Sequence, residues 1–179
     1  MESRQKEIPQ ARRLCHGVSE PPFHIVLVRP EIPQNTGSIA RLAAATRSRL
    51  HLVGPLGFSL EDRYLKRAGL DYWPLVDLRI YRDWDEFAAN QEETAQSPNL
   101  KYFSAHAEQV YLQAEFHRDD FLLFGSETKG LGSEFLKPRR QSAYRIPIFE
   151  HGVRSLNLAN AVSIVVYEAL RQTGLLADA

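Results

Sequence analysis

Three segments of this 179-residue chain combine polar side chains with backbone that can approach a ligand closely. The first is Pro30-Glu31-Ile32-Pro33-Gln34-Asn35-Thr36-Gly37, with Arg41 about a turn further on. An amide and a guanidinium six residues apart across a helix start can face one site. The plainer alternatives are Asn35 as an N-terminal helix cap and Arg41 as a solvated helix residue. The second segment is Gly125-Ser126-Glu127-Thr128-Lys129-Gly130-Leu131-Gly132. Its glycines permit close backbone approach, and Glu127 could serve a ligand or simply cap a helix. Lys129 precedes Gly130, so the segment is neither a GxxxxGK[ST] phosphate cradle nor a GxGxxG turn, and nucleotide hydrolysis and ordinary dinucleotide binding lose support. The third is Glu150-His151-Gly152-Val153-Arg154-Ser155-Leu156-Asn157-Leu158-Ala159-Asn160. Ser155 is a natural N-cap. Asn157 and Asn160, three apart, should share a helix face and need partners from the protein or a ligand.

Other chemistries are disfavoured. The six histidines (16, 24, 51, 106, 117, 151) show no HxxxH or HExxH spacing, and Cys15 is the single cysteine, so no metal site and no internal disulfide are expected. Ser126, Ser155 and His151 lack the G-x-S-x-G elbow of a hydrolase. Lys+Arg and Asp+Glu are 22 each, a net charge of zero that argues against a uniformly basic nucleic-acid binder. The charge is segregated, however. Residues 134–145 carry Lys137, Arg139, Arg140 and Arg145 against Glu134, residues 61–67 carry Arg63, Lys66 and Arg67 against Glu61 and Asp62, and acids collect over residues 77–93. One basic side for RNA is therefore compatible with neutrality. No apolar run is long enough to span a membrane, and the first residues lack the apolar centre of a secretory signal. A cytoplasmic protein is expected.

The elements that position these segments alternate. Residues 1–22 read as a mobile tail and 23–175 as one domain. Strands are expected at Phe23–Val28, Leu50–Gly54, Leu75–Tyr81, Lys101–Ser104, Phe121–Gly125 and Tyr144–Ile148. Helices are expected at Ser38–Ala45, Leu60–Ala68, Asp83–Glu93, Ser133–Lys137 and Leu156–Gln172, with two prolines excluding helix over 29–33. Alternation of this kind implies an α/β fold with a mainly parallel sheet flanked by helices, and all three segments follow apolar strands, where such sheets bind ligands. The last helix is apolar nearly all round, which suits a cover of sheet on one side and a second protomer on the other.

Taken together and in order, these stretches resemble the SPOUT methyltransferases, and within them the TrmH/SpoU 2'-O-methyltransferases, nearest to the small TrmL-like tRNA wobble-position enzymes. The resemblance rests on Pro30 to Arg41, Pro55-Leu-Gly-Phe58, Leu65-Lys-Arg-Ala-Gly-Leu-Asp-Tyr-Trp73, Phe124 to Leu131, Arg145-Ile-Pro147, Arg154 to Ala161 and Val166 to Gln172. It implies a C-terminal deep trefoil knot, an exception to unknotted connections. It also implies bound S-adenosylmethionine (AdoMet), released as S-adenosylhomocysteine, no metal, and a homodimer through the 156–172 helix. The implied substrate is tRNA, not DNA, methylated at the wobble nucleotide (position 34, cytidine or uridine). Ribosomal RNA or another tRNA position, a non-catalytic AdoMet- or RNA-binding knotted protein, and a nicotinamide-dependent oxidoreductase are the alternatives. Carried over by matching position, Asn35, Arg41, Glu127, Ser155 and Asn157 are catalytic-site residues. Phe103, Ser104, Gly125, Ser126, Glu127, Gly130, Ile146, Ser155 and Leu156 are cofactor contacts. Ala105-His106-Ala107, Ser126, Lys129 and Ala159 depart from the family's commoner residues. Arginine holds its proton too tightly to be a simple base, so the expected role of Arg41 is to guide RNA and stabilise the alkoxide.

Overall fold

The structure, a computed structural model, describes residues 20–60, 72–92 and 99–177. Seven strands form one all-parallel sheet: β1 (Phe23–Val28), β2 (Arg49–Val53), β3 (Leu78–Tyr81), β4 (Leu100–Phe103), β5 (Gln109–Val110), β6 (Asp120–Phe124) and β7 (Ala143–Arg145). Their order across the sheet is β3-β2-β1-β6-β4-β7-β5. The helices are α1 (Pro33–Thr46), α2 (Trp84–Glu92), α3 (Ser133–Leu136) and α4 (Leu158–Gln172), with 3-10 turns at Trp73–Leu75, Tyr111–Gln113 and Lys137–Ser142.

The almost wholly apolar text of β1 follows from cover on both faces, and all six of its residues, His24 included, are buried. Alternate side chains divide into two cores. Ile25, Leu27, Leu52, Leu122 and Phe124 pack with Ile39 and Ala43 of α1 and with Val162, Val165 and Val166 of α4. Val26, Val28, Val53 and Leu123 pack on the other face with Phe87 of α2 and, at the edge, Phe135.

Several expected boundaries move for physical reasons. The first helix begins at Pro33, not Ser38. Proline at the first helical position sacrifices only an N–H with no intrahelical partner. Asn35 is therefore inside the first turn and is not the cap, which is Ile32. The last helix is capped by Asn157, not Ser155: the Asn157 side chain accepts from the backbone N–H groups of Ala159 and Asn160. Asn157 thus stands off the helix and shares no helical face with Asn160. The strand expected over 144–148 ends at Arg145, and the two-residue β5 was not anticipated. The turn at 133–136 continues as 3-10 helix through Pro138 instead of stopping there. The helix expected over 60–68 and most of the tail lie outside the described residues. One face of α4 is buried, while Ile164 and Tyr167 are 37% and 49% exposed, so the expected second apolar face is present and open. Among the described residues no helix is long and apolar enough to cross a membrane.

Histidines enter the fold in a way their spacing does not reveal. His24 Nε2 lies 2.7 Å from the Asp119 carboxylate, His24 Nδ1 lies 2.8 Å from His51 Nε2, and His51 Nδ1 lies 3.0 Å from the Tyr81 hydroxyl. A carboxylate only accepts, so His24 carries its proton on Nε2 and accepts at Nδ1. His51 then donates from Nε2 and accepts from Tyr81, and one chain of donors runs from Tyr81 to Asp119. Asp119 reaches this position with a left-handed backbone (φ 70°), which aspartate tolerates. Burial, opposed for His24 by Asp119, holds both imidazoles below the ordinary 6.5, His51 well below.

Protonation is therefore easier in the unfolded chain, so this stabilisation is complete above about pH 6.5 and is lost as pH falls toward the folded values. Urea unfolding should show about 1–2 kcal/mol less stability at pH 5.5 than at pH 7.5. His51→Phe should flatten that dependence. An unchanged slope in the variant would show that the imidazole pair is not its source.

Candidate active site

Sheet order places the loops. β1, β6, β4 and β7 are neighbours, so the segments leaving their carboxyl ends share one rim. The order runs outward from β1 through β2 to β3 and resumes on its other side with β6, making the β1/β6 boundary the switch point at which open α/β sheets bind ligands.

Two carboxylates clasp the loops across that boundary. Glu127, after β6, accepts the Glu31 N–H on Oε2 at 2.8 Å and the Ile32 N–H on Oε1 at 3.2 Å. In return the Glu31 carboxylate accepts the Thr128 hydroxyl at 2.8 Å and the Thr128 N–H at 3.2 Å. Glu127 takes no N–H of a helical turn, because its backbone donors, Glu31 and Ile32, come just before α1. It sits at the N-terminus of α1, where negative charge is favoured and where Ile32 has no capping side chain to offer.

The clasp extends to the third loop through two amides. Asn35, 8% exposed, donates from Nδ2 to Glu127 Oε1 at 2.9 Å. Its carbonyl oxygen accepts Asn157 Nδ2 at 2.9 Å. The Asn157 carbonyl oxygen takes the α4 N–H groups of Ala159 and Asn160 at 2.9 and 3.3 Å. Every amide orientation is thereby set. Donation runs from the α4 N-terminus through Asn157 and Asn35 to the Glu127 carboxylate, and joins residues 122 positions apart. Glu31 and Thr128 were inside the segments singled out from sequence but not chosen from them. A glutamate between two short loops gives no hint of its partner.

The glycine segment folds back on itself. Ser126 and Gly130 exchange backbone hydrogen bonds of 3.2 and 2.9 Å, and the Ser126 hydroxyl accepts the Lys129 N–H at 3.2 Å. A Cβ on Gly125 would fall 1.9 Å from the Gly130 carbonyl carbon, so only glycine fits there, while Gly130 has φ 60° and open space beside it. The neighbouring strand ends meet the same rim. The Ser104 N–H donates to the Tyr144 carbonyl at 2.9 Å. The Phe103 ring is buried in a stack with Phe124 at 5.0 Å, and its strand is paired with β6 on one side and β7 on the other. Ile146 and Leu156 are half-buried and Ser155 is exposed, all on the segment between β7 and α4.

Arg41 stands apart from the clasp. Six residues past Asn35 is about 120° around the helix axis, and its guanidinium lies 4.8 Å over the Tyr72 ring. Tyr72 is fixed in turn by donating its hydroxyl to the Gly37 carbonyl at 3.0 Å. The two residues thus leave α1 in different directions, one locking loops and one presenting a cation held by an aromatic ring. Among the described residues no group of three or more His, Cys, Asp or Glu could hold a metal ion.

Comparison with known proteins gives this rim a context. Residues 22–167 match the SpoU rRNA methylase family. The chain belongs to that family. A relative from Burkholderia ambifaria, a tRNA (cytidine(34)-2'-O)-methyltransferase, is 44% identical over 154 residues, covering 85% of this chain and 96% of its own. A solved structure described as giving insight into the methylation of C/U34 on tRNA is 47% identical, with a TM-score of 0.77 over 84% of this chain and 95% of that one. The SpoU methyltransferase AviRb from Streptomyces viridochromogenes, solved with AdoMet, is 26% identical, with a TM-score of 0.75 over 87% of this chain and 59% of that one. SpoU membership bears out the resemblance read from the loops, and it implies the trefoil knot of the C-terminal segment.

Glu127 is the acceptor of three donors, and an amide in its place would turn one NH2 toward them. Glu127→Gln should lower the unfolding free energy by about 1–3 kcal/mol, the cost of leaving a part-buried polar group unpaired, as read by urea titration. Wild-type stability would show that the carboxylate does not hold the loops.

Proposed function

We propose that this chain is a tRNA 2'-O-methyltransferase that uses AdoMet to methylate the wobble ribose, at position 34, of cytidine or uridine. The observation that carries the reading is the clasp of Glu127, Asn35 and Asn157, which gathers three strand-end loops into one rim. It is supported by the near full-length similarity to the Burkholderia relative. Ribosomal RNA as substrate has less support, because the relatives similar over nearly their full length are named for tRNA.

The residues present fit AdoMet. The glycine turn at 125–130 exposes backbone beside Gly130, where a Cβ would meet nothing, and Ile146 and Leu156 offer an apolar wall. In our reading the backbone of Phe103 and Ser104, of Gly125 to Gly130, and of Ile146, Ser155 and Leu156 holds it. Bound AdoMet would supply an electrophilic methyl group to the ribose oxygen and leave as S-adenosylhomocysteine, while the 2'-hydroxyl proton passes to solvent. The chain's task is then alignment and charge. Asn35 and Asn157 keep the loops in register, so that little motion remains to be frozen when substrate arrives. Arg41, pre-aimed by Tyr72, stabilises the developing alkoxide and leaves its proton in place. Ser155 orders the loop before α4.

Two further features belong to this proposal. The open face of α4, with Ile164 and Tyr167, joins a second copy in a homodimer through the 156–172 helix. The basic text of 134–145 forms one wall of a shallow cavity of about 160 Å³, with Lys137 and Arg140 facing His106 and Glu108. It lies at the sheet edge that carries β7 and suits contact with RNA phosphates. The protein works in the cytoplasm.

Incubation with labelled AdoMet and total tRNA, followed by nucleoside mapping, should place label on the 2'-oxygen of nucleotide 34. Label confined to other positions would overturn the assignment. Arg41→Ala should slow single-turnover transfer roughly 10²–10³-fold, keep AdoMet affinity within a few fold, and change unfolding free energy by no more than about 1 kcal/mol. Arg41→Lys should recover part of the rate. Near-normal transfer by Arg41→Ala at saturating tRNA would remove Arg41 from the mechanism.

A further inference from the structure

The segment between β7 and α4 carries a feature that the clasp does not use. Phe149 is 93% exposed, and Val153 beside it is 46% exposed. The turn that presents them is ordered. The Val153 N–H donates to the Glu150 carbonyl at 3.1 Å, and the Gly152 N–H donates to the Glu150 carboxylate at 3.0 Å. The one acidic group of the turn is thus engaged in holding it closed. Cations lie on both sides in sequence, Arg145 before it and exposed Arg154 after it, with exposed His151 at the tip. Phe149 lies three positions after Ile146 and eight before the loop-locking Asn157. An aromatic face left in water is unfavourable unless something covers it. An aromatic flanked by cations is the combination that single-stranded RNA recognises, with the ring stacking on an unpaired base and the cations meeting the backbone.

We propose that Phe149 is an RNA-contacting residue that stacks on an unpaired nucleobase of the substrate tRNA and anchors the anticodon loop beside the reacting ribose. The inference rests on the reading of this chain as a tRNA methyltransferase. Stacking tolerates any base, so Phe149 sets how firmly the loop is held and not which nucleotide is chosen. The pre-formed turn lowers the ordering cost of that contact.

The test compares wild type, Phe149→Ala and Phe149→Trp in four readouts: tRNA binding by filter retention, single-turnover transfer at saturating tRNA, AdoMet binding by calorimetry, and oligomeric state by sedimentation. The proposal expects Phe149→Ala to weaken tRNA binding and raise the tRNA KM by roughly 5- to 150-fold. Transfer at saturation, AdoMet affinity and sedimentation should stay near wild type, and Phe149→Trp should bind as wild type does. Unchanged tRNA binding by Phe149→Ala would overturn it. So would a drop in sedimenting mass, which would assign the ring to contact between two copies, or a matching loss of AdoMet affinity, which would make it a cofactor cover. Wild-type protein that binds tRNA but transfers no methyl group would refute the enzymatic reading alone. Wild-type protein that does not bind tRNA would refute both.

Discussion

One carboxylate, at Glu127, bears most of the geometry of this rim. It lies at the N-terminus of α1, a helix that starts on a proline and has no capping side chain of its own. The unsatisfied N–H groups there and the helix dipole both call for an anion. By supplying that anion from the loop after β6, the chain turns a local requirement of α1 into a bond between two loops. Asn35, one turn into the same helix, adds a third donor to the carboxylate and passes the connection on to Asn157. Asn157 caps α4 directly, taking the N–H groups of Ala159 and Asn160, while Glu127 takes the N–H groups that lead into α1. The rim is thus built from a carboxylate before one helix and a cap on another, joined by one amide-to-amide hydrogen bond.

In the proposed reading, locking and chemistry are divided between two residues of one helix. Asn35 faces inward and is consumed by the clasp. Arg41 leaves α1 elsewhere and is held over Tyr72. A guanidinium resting on an aromatic face keeps its charge while losing side-chain freedom. That is the condition under which a charged donor stabilises an anion without reorganisation at the moment of reaction.

Much of this was legible in the residues. The apolar runs of β1 and β6, doubly covered, can be read from Phe23–Val28 and Phe121–Phe124, because a strand buried on both faces has no polar alternation to hide. The three loops could be found because each follows such a strand. The clasp itself was not legible. Glu31 and Glu127 are 96 residues apart, and neither local spacing nor periodicity records a hydrogen bond across a sheet. The cap of α4 is not legible in residue type, since serine and asparagine are about equally good caps, and the helix starts at Leu158, which makes Asn157 the cap. The start of α1 is masked by the two prolines over 29–33, although the second of them is well suited to begin a helix. The histidine chain leaves no trace in spacing because His24 and His51 are on adjacent strands, where pairing brings them together.

The central claim is that Asn35 and Asn157 act as one unit that closes the loops around the reacting groups. A double-mutant cycle on the single-turnover methyl-transfer rate, with Asn35→Ala, Asn157→Ala and the pair, tests it directly. If the amides are links in one chain, breaking either should do most of the damage of breaking both, with a coupling of about 1 kcal/mol or more. Additive losses, within about 0.3–0.5 kcal/mol, would show that the two side chains act independently and would contradict the account.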